Sequence, residues 1–137
     1  MKGIADTGFI VAFLNRSDRH HEWAAEIARK ASEPFLTCEA VLSEAGFNVA
    51  SVPRVLALVQ EDLLKIAFDL SENFSEVLEL AERYRDRTPD LADLCLVRMS
   101  ELNANLSIIT VDENDFRIYR KNKREVIPLV CPPRNRH

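Results

Sequence analysis

Short apolar runs of strand length, most followed by a segment of helical periodicity, recur along the whole chain. A chain built that way has few ways to fold. Strands joined through helices run parallel, and a parallel sheet must bury both of its faces under those helices. The runs are residues 2–6 (KGIAD), 35–38 (FLTC), 63–70 (LLKIAFDL), 106–110 (LSIIT) and 125–130 (EVIPLV). LSIIT is the clearest buried strand, and Pro128 restricts the last run to an edge. The expected fold is an α/β chain, a three-layer α/β/α sandwich with a central parallel sheet. Its 137 residues suit one domain over 1–137, with a loose tail at 131–137.

Punctuation between the runs fixes the helices. Thr7-Gly8 turns into a helix over 9–15, and a second spans about 20–31 with Trp23, Ile27 and Ala31 on one face. Thr37 is a candidate cap for a helix carrying Glu44, and Ser51 starts another, with Pro53 in its first turn. Ser71 offers a cap for an amphipathic helix to about Arg85, with Phe74, Val77, Leu78 and Ala81 inward. Thr88-Pro89-Asp90 is a strong helix start for a segment reaching about Leu102, combining a cap, a first-turn proline and an acid near the positive helix end. A short helix is expected over 114–121.

Composition narrows the function. No apolar run approaches the ~20 residues a membrane helix needs, and Asp6 interrupts the first apolar stretch, so the start of the chain does not read as a signal peptide. Three cysteines, widely spaced and without metal-ligand spacing, suit reduced core thiols and a cytoplasmic protein. His20 and His21 read as solvated surface. The net charge of −4 sits awkwardly with a polyanion, but two divalent cations would balance it. The segment 117–124 also holds five Lys or Arg in eight positions.

Four acids stand out because each lies at a strand end or among apolar neighbours: Asp6 in GIADTGFIVAFL, Glu44 in AVLSEAGF, Asp93 in LADLCLV and Asp112 after LSIITV. Burying one carboxylate is costly, and several together more so unless a cation compensates. A hard divalent ion, Mg²⁺ or Mn²⁺, is the natural occupant if the fold gathers them. Asp6 and Asp112 follow strands, where ligands bind in such sheets. Taken singly, Asp6 and Asp112 can each be a helix cap. Glu44 shares its helix side with Val41 and Phe47. Asp90 and Asp93 share a helix face, Asp90 having a first-turn role and Asp93 lying beyond the orphan amides. Asp115 is a cap or an outer partner of Asp112.

Four segments in order, ADTGFIVAFL (5–14) with DRHH (18–21), LTCEAVLSE (36–44), PDLADLCLVR (89–98) and ITVDENDF (109–116), resemble the PIN-domain ribonucleases, especially the VapC-type toxins of toxin–antitoxin pairs. The similarity covers nearly the full length. It implies that Asp6, Glu44, Asp93 and Asp112 form the acidic quartet, that Asp6 and Asp93 are the principal Mg²⁺ ligands, and that Asp90 and Asp115 are auxiliary. Leu94 departs from the small residue usual after the third acid. The resemblance further implies a small antitoxin partner and a homodimer.

The chemistry expected is hydrolysis of RNA phosphodiesters. Thr7 and Thr110 are placed to hold a phosphate or water, or to cap turns. Unpaired RNA suits an open acidic cleft, with Arg117, Arg120 and Lys121 guiding its backbone or simply forming a solvated helix end. Other readings fit less well. Asp-Thr-Gly also occurs in aspartic proteases, but those are all-β. A receiver domain needs paired acids after the first strand, and a haloacid-dehalogenase-type phosphatase needs Asp-x-Asp there. A non-catalytic RNA-binding or regulatory domain of the same fold is the remaining alternative.

Overall fold

A computed structural model describes residues 1–134. Five short strands form one parallel sheet: β1 (Ile4–Ala5), β2 (Phe35–Thr37), β3 (Leu64–Ile66), β4 (Ile108–Ile109) and β7 (Leu129–Val130), in the order β3-β2-β1-β4-β7. Ile4 pairs with Leu36 on one side and Ile108 on the other. Among the described residues seven helices flank the sheet: α1 (Thr7–Leu14), α2 (His21–Arg29), α3 (Glu39–Asn48), α4 (Val52–Gln60), α5 (Phe74–Arg83), α6 (Leu91–Leu102) and α7 (Glu113–Ile118). This is the expected three-layer α/β/α sandwich. Its core joins Ile4, Phe9, Phe35, Leu96, Met99, Ile108 and Ile109 between sheet and helices.

The winding sense matters most for function. From β1 the chain builds outward through β2 and β3, then returns to place β4 on the other side of β1. That reversal opens a crevice beyond the carboxyl ends of β1 and β4, where the flanking connections diverge to opposite sides. Asp6 lies just past one strand and Thr110 to Asp112 just past the other.

Several local expectations are corrected. Thr37 does not cap α3; its hydroxyl donates to the Ala5 carbonyl, stitching β2 to β1, and the cap position falls to Cys38 without a side-chain bond. The run 63–70 is a strand only over Leu64–Ile66, because Asp69 organises a turn in which its carboxylate accepts from Glu72 N and its carbonyl from Asn73. Ser71 is therefore not the α5 cap. That helix begins after Asn73, leaving Phe74 and Leu78 exposed while Val77 and Leu80 are buried. Thr88 gives way to Asp90 as the α6 cap, and adopts a left-handed backbone (φ 45°) at the end of a 3-10 turn over Arg85–Arg87.

At the other end, α7 stops at Ile118, before the expected 121, since Arg120–Lys121 (β5) forms an antiparallel hairpin with Glu125–Val126 (β6). The run 125–130 is thus two strands: β6 in the hairpin, and β7 pairing with β4 at the sheet edge. Pro128 sits between them, its carbonyl accepting from Ile108 N. Of the expected loose tail, residues 131–134 run along Val111 and Trp23, and Arg134 pairs with Glu113 at 2.9 Å; residues 135–137 lie outside the described ones. No helix is long and apolar enough to cross a membrane among the described residues.

Candidate active site at the strand switch point

Asp6 is the anchor. It ends β1 and is 2% exposed. One carboxylate oxygen accepts from the Thr7 amide at 2.6 Å, capping α1, and the other accepts from the Thr110 hydroxyl at 2.6 Å. The capping reading holds, and a carboxylate has lone pairs enough to accept further bonds besides the cap. Thr110 in turn accepts from the Asp112 amide at 2.9 Å, so one hydroxyl ties β1 to the turn after β4. Burial pushes the Asp6 carboxyl up to about 7, with Asp112 and Glu44 adding repulsion, against the hydrogen bonds from Thr110 and Thr7.

Asp93 faces the same space from α6. It belongs to the first turn, not beyond the orphan amides as its spacing suggested: its amide donates to the Asp90 carboxylate at 2.8 Å. Burial is the main cause raising Asp93 to about 8, followed by the charges of Asp90, Asp6, Asp115 and Glu44. Asp112 is raised by desolvation, then by Asp115 and Asp90. It flanks α7 at the cap position but makes no side-chain cap bond, and Asp115 lies in that helix's first turn. Glu44 is half-buried on α3, with Val41 buried but Phe47 85% exposed; only one of the two apolar neighbours thus shields it.

The acids therefore act on one another as a group, and among the described residues none of Asp6, Asp93 or Asp112 has an ion-pair partner. The Thr7 hydroxyl, buried beside Asp6, also finds no partner there. Hard oxygen donors, unbalanced negative charge and an orphan hydroxyl together suit a hydrated divalent cation. No three His, Cys, Asp or Glu side chains stand ready as a closed metal cage among the described residues. That is compatible with Mg²⁺, which keeps several waters and commonly takes only one or two carboxylates.

Beside the acids a cleft of about 680 Å³ is lined by Asp90, Asp93 and Asp115 on one side and by Arg83, Tyr84 and Arg87 on another. Tyr119 is buried at its edge, with its hydroxyl raised by burial and by Asp93, and packs edge-on against Tyr84 at 5.1 Å. The sequence reading missed these residues. Its one signal was an arginine-interleaved aromatic, RYRDR (83–87), absorbed into a helix end.

The model of the PIN domain family matches residues 4–122. The chain belongs to the PIN domain family. A comparison with curated proteins returns no match. PIN domains are typically nucleases that bind divalent metals, and this PIN domain places buried Asp6 and exposed Asp112 just past the strands where its sheet reverses direction, with Asp93 half-buried on α6.

The basic segment of this PIN domain is committed elsewhere. Arg117 pairs with Glu113, and Arg120 donates to the carbonyls of Arg117 and Tyr119. Lys121 is 7% exposed and donates to the Ala104 carbonyl at 3.1 Å. This takes Lys121 off the surface.

Proposed function

We propose that this PIN domain is a metal-dependent endoribonuclease hydrolysing unpaired RNA through Asp6, Glu44, Asp93 and Asp112, with Asp90 and Asp115 auxiliary. The observation that carries the reading is the placement of buried Asp6 and half-buried Asp93 at the switch point, both raised chiefly by burial, with no Lys or Arg paired to either among the described residues. A bound Mg²⁺ or Mn²⁺ supplies a water of lowered pKa and neutralises charge on the leaving oxygen. Asp6 and Asp93 would hold it, with Asp112 and Glu44 as the further carboxylates of the site. Thr110 orients Asp6 and favours its ionised form against burial, and Thr7 offers its hydroxyl to a water or phosphate oxygen. Tyr119 shields Asp93 from bulk water.

The finer assignment, a VapC-type toxin acting in the cytoplasm, inhibited by a small antitoxin and dimeric, rests on the four sequence segments. Phe47, Val52 and Leu56, exposed near the α3–α4 junction, add apolar surface of the kind a partner covers. A short gene for a DNA-binding antitoxin beside this one, and a dimer by light scattering, are the expected observations.

The test is cleavage of an unstructured RNA. Activity with Mg²⁺ or Mn²⁺, lost in EDTA and in folded Asp6→Asn and Asp93→Asn proteins, is expected. Full activity in EDTA or in either variant would refute the assignment. The missing three-ligand cage favours a second reading, a non-catalytic RNA-binding domain; it predicts RNA binding without turnover in any divalent metal.

A further inference from the structure

Three depressions adjoin across the site. The 680 Å³ cleft holding Arg83 and Arg87 shares Asp115 with a depression of about 540 Å³ along Val111, Asp112 and Asp115. That one shares Val111, Glu113 and Arg134 with a third, of about 410 Å³, lined by Arg19, His20 and Trp23. Through these shared residues the three adjoin in series, with Asp112 and Asp115 on the middle one, Asp93 on the first, and arginines lining both outer ones.

The side chains along this series are unequally committed. Arg83 is paired with Glu79. Arg117 and Arg134 both close on Glu113, cancelling the one carboxylate that would repel a phosphate in the third depression. Arg87 and Arg19 are exposed and make no ion pair among the described residues. Guanidinium groups bind phosphate in a planar, two-pronged fashion. Trp23 is half-buried, its ring edge-on to Phe9, and an indole in a basic groove suits base stacking, which needs no particular sequence.

The geometry points to a strand path: an RNA single strand crosses the acid centre between two phosphate subsites, Arg87 on one side and Arg19 on the other, with a flanking base against Trp23. This rests on the RNA-cleaving reading above. It moves backbone guidance from the 117–124 segment to two residues far apart in sequence.

Trp23 is the chain's one tryptophan, so intrinsic fluorescence reports on that end of the groove directly. Stopped-flow mixing with a short unstructured oligoribonucleotide in Mg²⁺ reads binding before turnover. The indole signal should change on binding. Arg19→Ala and Arg87→Ala should each weaken affinity several-fold, and each should lower the salt dependence of log affinity by about 0.7, the value for one phosphate contact on a single strand. In turnover, KM should rise with kcat nearly unchanged. If wild-type protein cleaves RNA while its indole is silent, or both variants keep the full salt slope, the path is wrong and the nuclease reading stands. If the indole and salt effects appear without cleavage in any divalent metal, the path stands and the nuclease reading falls.

Discussion

Thr110 does more than its size suggests. Its hydroxyl is the largest influence opposing the burial of Asp6, and a hydrogen bond to a charged group contributes about 1.5–3 kcal/mol. Replacing it by valine keeps the shape and removes the donor. The Asp6 carboxyl should then titrate higher still, and the acidic limb of the pH–activity profile should move up by about one unit; Thr110→Ser should leave it in place. Asp90 tests the opposite sign. Asp90→Asn keeps the cap on α6 but removes the leading charge acting on Asp93, so the Asp93 carboxyl should titrate lower, as NMR of the metal-free protein would show. Residue-level legibility follows the same physics. Asp6 and Asp112 stand out in the sequence because an acid just past a strand end lies where ligands bind in such sheets. The proposed phosphate subsites, Arg19 and Arg87, carry no such mark, since an exposed arginine looks alike in a groove and on a plain surface. The dense run at 117–124 shows the complementary limit: proximity in sequence says nothing about which cations are already engaged by neighbouring carboxylates and carbonyls, as Arg117, Arg120 and Lys121 are.

Between elements, the tightest approach near the site is α1 against the turn after β4. A Cβ added at Gly8 would lie 2.3 Å from Val111 Cγ2, so in Gly8→Ala either the Val111 side chain turns away or α1 and that turn move apart. Overpacking of this kind typically costs about 1–3 kcal/mol. Chemical denaturation should show that loss, and Val111→Ala in the same chain should restore most of it; no recovery would mean the clash lies elsewhere. Helices and strands were legible to the extent that their signals are local. Ser51 caps α4 as expected, accepting from Arg54 N. Where several polar residues competed for a cap, the winner was decided by tertiary contacts invisible in the sequence: Thr37 is drawn to the Ala5 carbonyl, and Asp69 claims the turn that Ser71 was expected to end. The 125–130 run divides for a similar reason, since half of it pairs with a hairpin strand and half with the sheet.

For the whole molecule, the raised acids link stability to pH. The folded values of Asp6 and Asp93, about 7 and about 8, lie above the unfolded value near 3.9. The folded state therefore holds more protons through that window, and stability falls as pH rises from about 4 to 8. Metal-free protein should melt several degrees lower at pH 8 than at pH 5, a loss of at least about 1 kcal/mol. Excess Mn²⁺ should restore it at pH 8 and matter little at pH 5, and Asp93→Asn should flatten the dependence. A metal-free melting temperature independent of pH would contradict the carboxylate cluster itself. The hydrogen bond between Asp6 and Thr110 spans 104 positions of the chain, and β1 gains its second neighbour only when β4 arrives. In a growing chain that side of β1 stays unpaired until residues 108–109 are available to fold against it. The two sides of the candidate site therefore cannot meet in a nascent chain that stops short of β4, so the crevice is assembled late even though its first acid is made early.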